Sequence, residues 1–273
     1  MCGRYVTPEE AAIERYWKLA RAAPLRLPAR FNVAPTQTVP LVVPSAGGDP
    51  QDWTLTQARW GLVPAWWRKA DWPSLSFNAR SEEAEGKPMW REPWRRQRGF
   101  MPAQAWYEWN EHERLQGPGG RPRFQPYVYE DPHGEPLAMA ALWSTWLGLL
   151  GPAGKPSPQG EAAHILSCAL VSRLALDEYL PIHDRMPVLL DAETLPLWMD
   201  PQASPEMLRH CVRKPRPGLR VRRVSPRVNR ATEEGASLLE DWSPPDGPEG
   251  GCAKVHAASP PAQQAPSQTS LFD

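Results

Sequence analysis

The chain has 273 residues, 41% of them hydrophobic, with 31 basic and 31 acidic side chains; it can bury a core, and net charge declares no nucleic-acid partner. Any such partner needs a local basic footprint; beyond residue 243 the chain holds Lys254 against Asp246, Glu249 and Asp273, so the body is slightly positive. No apolar run approaches the roughly 20 residues that cross a bilayer, no leader follows Met1, and Cys2, Cys168, Cys211 and Cys252 form no C-x-x-C pair or Cys/His metal spacing, so a cytoplasmic chain with reduced thiols and neither metal nor cofactor is expected.

Thirty-four prolines and 14 tryptophans favour many short elements, because each proline fixes φ and removes a backbone donor. A helix is predicted over 7–22, with Thr7 as cap, Glu10 closing a T-x-x-E capping box, and Ile13, Tyr16, Trp17 and Ala20 along one face. Strands are predicted at 38–43, 55–60, 126–130, 137–143, 164–171, 186–190 and 219–224. Short helices are predicted after Asp191 and after Ser204, the latter with Pro205 in its first turn, and another over 232–240. Residues 115–122 read as a hairpin tip and 147–160 as a surface insertion. Many short strands with few helices give an α+β class. Residues 1–243 form the folded domain, and 244–273, rich in Pro, Gln and Ser, a disordered tail.

Residue 2 carries a chemical suggestion. Methionine before a small residue is commonly removed, which would leave Cys2 first. An N-terminal cysteine offers two nucleophiles on adjacent carbons: an amine of pKa ~7.7–8.0 and a thiol of ~8.5. With an aldehyde the amine forms an imine and the thiol closes a five-membered thiazolidine, which an internal cysteine cannot do. Position alone favours an incidental cysteine near a chain end.

Five further segments bear on this. They are Arg30-Phe31-Asn32-Val33-Ala34-Pro35-Thr36, Trp60-Gly61-Leu62-Val63-Pro64-Ala65-Trp66-Trp67, Phe77-Asn78-Ala79-Arg80-Ser81-Glu82, Trp106-Tyr107-Glu108-Trp109 and Ile182-His183-Asp184-Arg185-Met186-Pro187. With the Met1-Cys2-Gly3-Arg4 start, their order and spacing over residues 2–242 resemble the SRAP family, the SOS-response-associated peptidases. Members are known for covalent capture of abasic sites in single-stranded DNA. The resemblance implies a compact, predominantly β single domain with several short helices and a positively charged cleft. It implies Cys2 as nucleophile, Asn78 positioning its amine, Glu108 moving protons and His183 acting beside the sugar. Arg4, Arg80 and Arg185 would hold phosphates, and Trp66 or Trp67 would meet a base. The chain departs from the family pattern at Gly99 and at Ala105-Trp106, which read as packing changes.

The residues fit these roles. Glu108 lies between aromatics, where burial would raise its pKa toward neutrality. Histidine can serve as acid or hydrogen-bond donor, and Asn78 can donate and accept at once. Each also has a plain structural reading, as a strand glutamate, a turn histidine or a turn asparagine; for Asn32 the structural reading is preferred. His112, His133, His164, His210 and His256 lack such context. The basic group Arg213, Lys214, Arg216, Arg220, Arg222 and Arg223, with Arg227 and Arg230, reads equally as phosphate contacts or as a solvated face. The run from Trp90 to Arg98 reads as a single-strand platform or as core packing.

The last residues, Gln268-Thr269-Ser270-Leu271-Phe272-Asp273, are similar to the Q-x-x-L-F peptide with which bacterial proteins dock on the DNA polymerase sliding clamp. Gln268, Leu271 and Phe272 would be its anchors. The expected protein is a monomer that acts on abasic single-stranded DNA at the nucleoid, with weak lyase activity possible in imine chemistry. Two alternatives stay open: a cysteine autopeptidase, and a non-covalent single-stranded DNA binding module.

Overall fold

A computed structural model describes residues 2–19, 26–45, 47, 52–116 and 122–244. In chain order its strands are β1 (Arg4–Thr7), β2 (Arg30–Val33), β3 (Thr38–Pro44), β4 (Trp53–Trp60), β5 (Asn78–Arg80), β6 (Arg98–Ala103) and β7 (Ala105–Gln116). β8 (Pro122–Glu130), β9 (Leu137–Leu150), β10 (Glu161–Leu174), β11 (Arg185–Pro187), β12 (Leu189–Leu190) and β13 (Arg220–Arg223) follow. The helices are α1 (Glu10–Trp17), α2 (Ser81–Ala84), α3 (Pro88–Arg96), α4 (Thr194–Met199) and α5 (Pro205–Arg213). None is long and apolar enough to cross a membrane.

One antiparallel sheet runs β13-β8-β7-β1-β2. The other runs β11-β10-β4-β3-β6-β9-β12. Because β10 also pairs with β9, strands β10, β4, β3, β6 and β9 close into a barrel. β5 lies parallel to β10, with Asn78 opposite Leu170.

Both faces of β6, of the middle of β3 and of the adjoining halves of β9 and β10 are buried, so their apolar runs are continuous rather than alternating. Val42, Phe100 and Leu142 face outward and are covered by helical residues such as Trp90, Trp94 and Trp198. Leu41, Met101, Met139 and Cys168 face inward and share a second cluster with Tyr5, Trp106 and Tyr129 of the other sheet. The remaining face of that sheet packs Val6, Tyr107 and Val128 beneath Val224, Val228 and Leu238. Gly99 is required at the β3–β6 contact, since a Cβ there would lie 2.5 Å from the Val42 carbonyl oxygen.

The α+β expectation holds, with a barrel at its centre. The N-terminal helix is shorter than predicted. Thr7 belongs to β1, and its hydroxyl accepts from the Arg30 amide; Glu9 is the cap residue, and Glu10 accepts from the Leu27 amide instead of closing a capping box. Sheet pairing claimed Thr7. The cap at Ser204 forms as predicted, with its hydroxyl accepting from the Met207 amide. The predicted strand over 186–190 is split at Val188 into β11 and β12. The predicted insertion is a turn segment over 151–160, its first four residues being the end of β9, which runs to Leu150 before β10 starts at Glu161. The 232–240 helix reduces to one 3-10 turn, Ala236–Leu239. The run from Trp90 is helix α3, with Trp90 and Trp94 in the core.

Arg98 is the largest buried charge, 1% exposed. Its guanidinium donates to the carbonyls of Trp94 (2.8 Å) and Trp198 (2.9 Å), and also to those of Arg95 and Asp200. These carbonyls end α3 and α4, where intrahelical donors run out. Burial lowers its pKa to about 10. Arg98→Met relieves the desolvation of one cation but orphans these acceptors, each worth about 1–3 kcal/mol. A net loss of about 3 kcal/mol is expected from urea unfolding; a variant as stable as wild type would refute this role.

Candidate active site

Strand pairing builds the site. β1 pairs with β7 so that Tyr5 faces Trp106, which brings Cys2, just ahead of β1, beside Glu108 two residues beyond Trp106 and on the same face. Asn78 opens β5, and its Nδ2 donates to the Cys2 carbonyl at 2.9 Å. The turn before β11 carries His183, whose Nε2 lies 3.7 Å from Glu108 Oε2. The Cys2 thiol and the Glu108 carboxyl share a hydrogen bond. Cys2, Asn78 and Glu108 are buried, and His183 nearly so.

Burial governs the electrostatics. The Cys2 thiol is pushed well above its usual value by desolvation, then by the neighbouring Glu108. It rests as the neutral thiol, a weak nucleophile. Desolvation also raises Glu108, against the pull of His183 and the thiol hydrogen bond. Such a carboxyl both accepts and returns a proton more readily near neutral pH. Asn78 Oδ1 is buried and has no hydrogen-bond partner among the described residues. Those residues also offer no cluster of three His, Cys, Asp or Glu side chains that could hold a metal.

The wall is aromatic. Trp106 stacks on Tyr129 with centroids 4.8 Å apart, and Tyr179 meets Tyr129 edge-on at 5.6 Å. The Tyr129 hydroxyl is pushed up by burial, then by Glu108 and Cys2. No motif distinguished these two tyrosines in the sequence; cross-strand register puts Tyr129 opposite Trp106.

The other expected site residues are placed unequally. Arg80 is exposed and lies 3.6 Å from Glu83. Trp66 is 54% exposed, and Trp67 lies beside it with centroids 6.0 Å apart and Lys69 over its ring. Gly61, at φ +134°, turns the chain out of β4 toward these tryptophans, a conformation open to glycine. Arg4 is half-buried, and its Nη1 donates to Asn32 Oδ1 and the Val228 carbonyl. Arg185 is 7% exposed, and its guanidinium faces Glu82 and Ser172 rather than solvent. The second basic group is largely neutralised: Lys214 pairs with Asp191, Arg216 with Asp131, Arg220 and Arg222 with Glu130, Arg223 with Glu113, and Arg227 and Arg230 with Glu233.

Residues 1–231 match the sequence profile of the family described as SOS response associated peptidase (SRAP). The chain belongs to the SRAP family. Abasic site processing protein YoqW of Bacillus subtilis is 27% identical over 213 residues, 77% of this chain and 85% of the relative. Abasic site processing protein YedK of Escherichia coli is 30% identical over 175 residues, 64% of this chain and 66% of the relative. A solved structure of a protein from Bacteroides thetaiotaomicron superposes with a TM-score of 0.67 at 16% identity, covering 89% of this chain and all of that one. It shares the fold of this SRAP chain.

Proposed function

We propose that this SRAP chain captures abasic sites in single-stranded DNA as a covalent thiazolidine on Cys2, once the residue ahead of Cys2 is removed. The carrying observation is the convergence of Asn78 Nδ2 and the Glu108 carboxyl on Cys2, with His183 Nε2 3.7 Å from that carboxyl. The names of the relatives point to the same lesion.

An abasic sugar opens to an aldehyde at C1′ as its C1′ hydroxyl gives a proton to water and His183 donates one to the ring oxygen. Since burial keeps the thiol protonated, the α-amine attacks C1′ first. Glu108 takes the proton that the amine releases and returns it to the C1′ hydroxyl, which leaves as water. The resulting imine carbon is attacked by Sγ; the thiol proton passes to nitrogen and the five-membered ring closes. One water is released overall, and no oxidant or metal enters. Fixing amine, thiol and lesion together makes the attack local rather than bimolecular. Intact-mass analysis after incubation with a single-stranded oligonucleotide bearing one abasic site tests this. A stable adduct at the summed mass less one water is expected; binding without an adduct would leave only a non-covalent module.

Trp66 and Trp67 would stack on bases beside the lesion, and Arg80 would contact phosphate in a positively charged cleft. Arg4 and Arg185, both tied to the protein, would act more through the local potential. Arg80→Ala is expected to weaken oligonucleotide binding and to lower the slope of log affinity against log salt by about 1; an unchanged slope excludes that contact.

The Gln268, Leu271 and Phe272 peptide lies outside the described residues. It would tether the chain to the sliding clamp. Deleting 268–273 should abolish recovery on immobilised clamp, and equal recovery would end that reading.

A further inference from the structure

We propose that Glu82 is a positioning residue whose ion pair with Arg185 selects the Nε2-protonated tautomer of His183, and so aims a proton donor at the Cys2–Glu108 site. The proposal deepens the abasic-site reading and rests on it for its catalytic meaning.

Glu82 lies four residues after Asn78, in α2, the helix that follows β5 directly. Both of its carboxylate oxygens accept from the Arg185 guanidinium, at 3.0 Å each. The flat two-by-two match of guanidinium and carboxylate resists rotation as well as separation. Arg185 Nη2 donates again, to Ser172 O at 2.9 Å and Ser172 Oγ at 3.1 Å. The side chain that opens β11 is therefore pinned to α2 on one side and β10 on the other. Its backbone is held too, since Arg185 pairs with Leu174 across β10–β11.

That backbone sets the imidazole. The Arg185 amide donates to His183 Nδ1 at 2.9 Å. An amide N–H can only donate, so Nδ1 must offer a lone pair and the neutral ring carries its proton on Nε2. Nε2 is the nitrogen 3.7 Å from Glu108 Oε2. Two acceptors compete for the other outcome: Arg185 O and Asp184 Oδ1 each lie 3.2 Å from Nδ1. Both are longer contacts than the amide, and Asp184 is 76% exposed, so water screens its pull. The balance holds only while the Arg185 amide stays in place. Without the Glu82 charge, a buried guanidinium loses its counter-ion and turns toward solvent. The end of β11 moves with it, and the two competing oxygens draw the proton to Nδ1, away from the reaction.

The test uses the full chain labelled with 15N-histidine, near pH 8, where an ordinary imidazole is neutral. His183→Ala assigns the resonance. Wild type is expected to show the Nε2–H pattern. Glu82→Gln should show both tautomers and an adduct-forming rate about tenfold lower, and Glu82→Asp should restore the pattern and most of the rate. A wild-type Nδ1–H pattern, or an unchanged pattern in Glu82→Gln, overturns the proposal. A slower Glu82→Gln with its tautomer intact overturns it as well, leaving a merely structural pair. If Glu82→Gln does not fold, Arg185→Lys is read the same way: an unaltered tautomer refutes the clamp. If wild type forms no adduct, the abasic-site reading fails, and the spectra still decide the tautomer.

Discussion

Cys2→Ala abolishes the stable adduct with abasic single-stranded DNA while the protein still binds the oligonucleotide. The α-amine survives the substitution, so an imine at C1′ can still form. It cannot close a ring, and it reverses with water. Borohydride, which reduces imines, should therefore trap a Cys2→Ala adduct that disappears without the reductant. Wild type should hold its adduct without reduction. The comparison separates the roles of the two nucleophiles. The substitution removes one buried sulfur from a site otherwise closed by Tyr129 and Trp106, a stability loss of about 1 kcal/mol, so folding is retained. A stable unreduced adduct in Cys2→Ala would remove the thiol from the mechanism. A wild-type protein that kept the residue before Cys2 would lose the amine, and N-terminal mass analysis of the same sample reads that directly.

Glu108→Gln slows adduct formation by about 10²–10⁴-fold and makes the protein more stable at neutral pH. The two effects share a cause. Burial raises the Glu108 pKa in the folded state above its model value of 4.5. A raised carboxyl favours the protonated form in the fold. Its stabilising contribution is whole below the unfolded pKa and is lost as pH rises through the folded one. Wild type thus loses stability as pH rises through the folded Glu108 pKa, a loss that glutamine does not carry. Thermal unfolding should show a higher midpoint for Glu108→Gln at pH 7, with the gap closing below pH about 4. In the rate profile the α-amine contributes a rising limb in both proteins, whereas the Glu108 limb, displaced above 4.5, appears in wild type alone. A wild-type rate in Glu108→Gln would dismiss the carboxylate as proton carrier, and a lower midpoint would contradict its burial strain.

Local chemistry was legible wherever a residue acts within its own segment. Ser204 and Pro205 announced α5, because a cap needs partners only two or three residues away. Thr7 and Glu10 carried the same kind of signal and misled. Pairing of β1 with β2 and β7 took Thr7 into a sheet, and sheet partners lie far along the chain. β6 and β7 went unpredicted for a related reason. β6 is buried at every position, so it lacks the alternation that marks a half-exposed strand. The arginines divide in the same way. Arg80 and Arg185 look alike in their motifs, yet one is exposed and the other is closed on Glu82, 103 positions away.

The amino-acid sequence determined the chemistry available to this protein: a thiol at Cys2, joined by an amine on the adjacent carbon once the residue ahead is removed, with an amide, a carboxyl and an imidazole in separate motifs. These are properties of residue types, and order along the chain preserves them. Tertiary structure alone decided that β1, β5, β7 and the turn before β11 meet, that Glu108 and the Cys2 thiol are desolvated, and that Arg185 is spent on Glu82. Distance, burial and charge pairing depend on which segments the barrel and its partner sheet bring together, and hydrogen-bonded register sets those contacts across 70 or more residues of intervening chain.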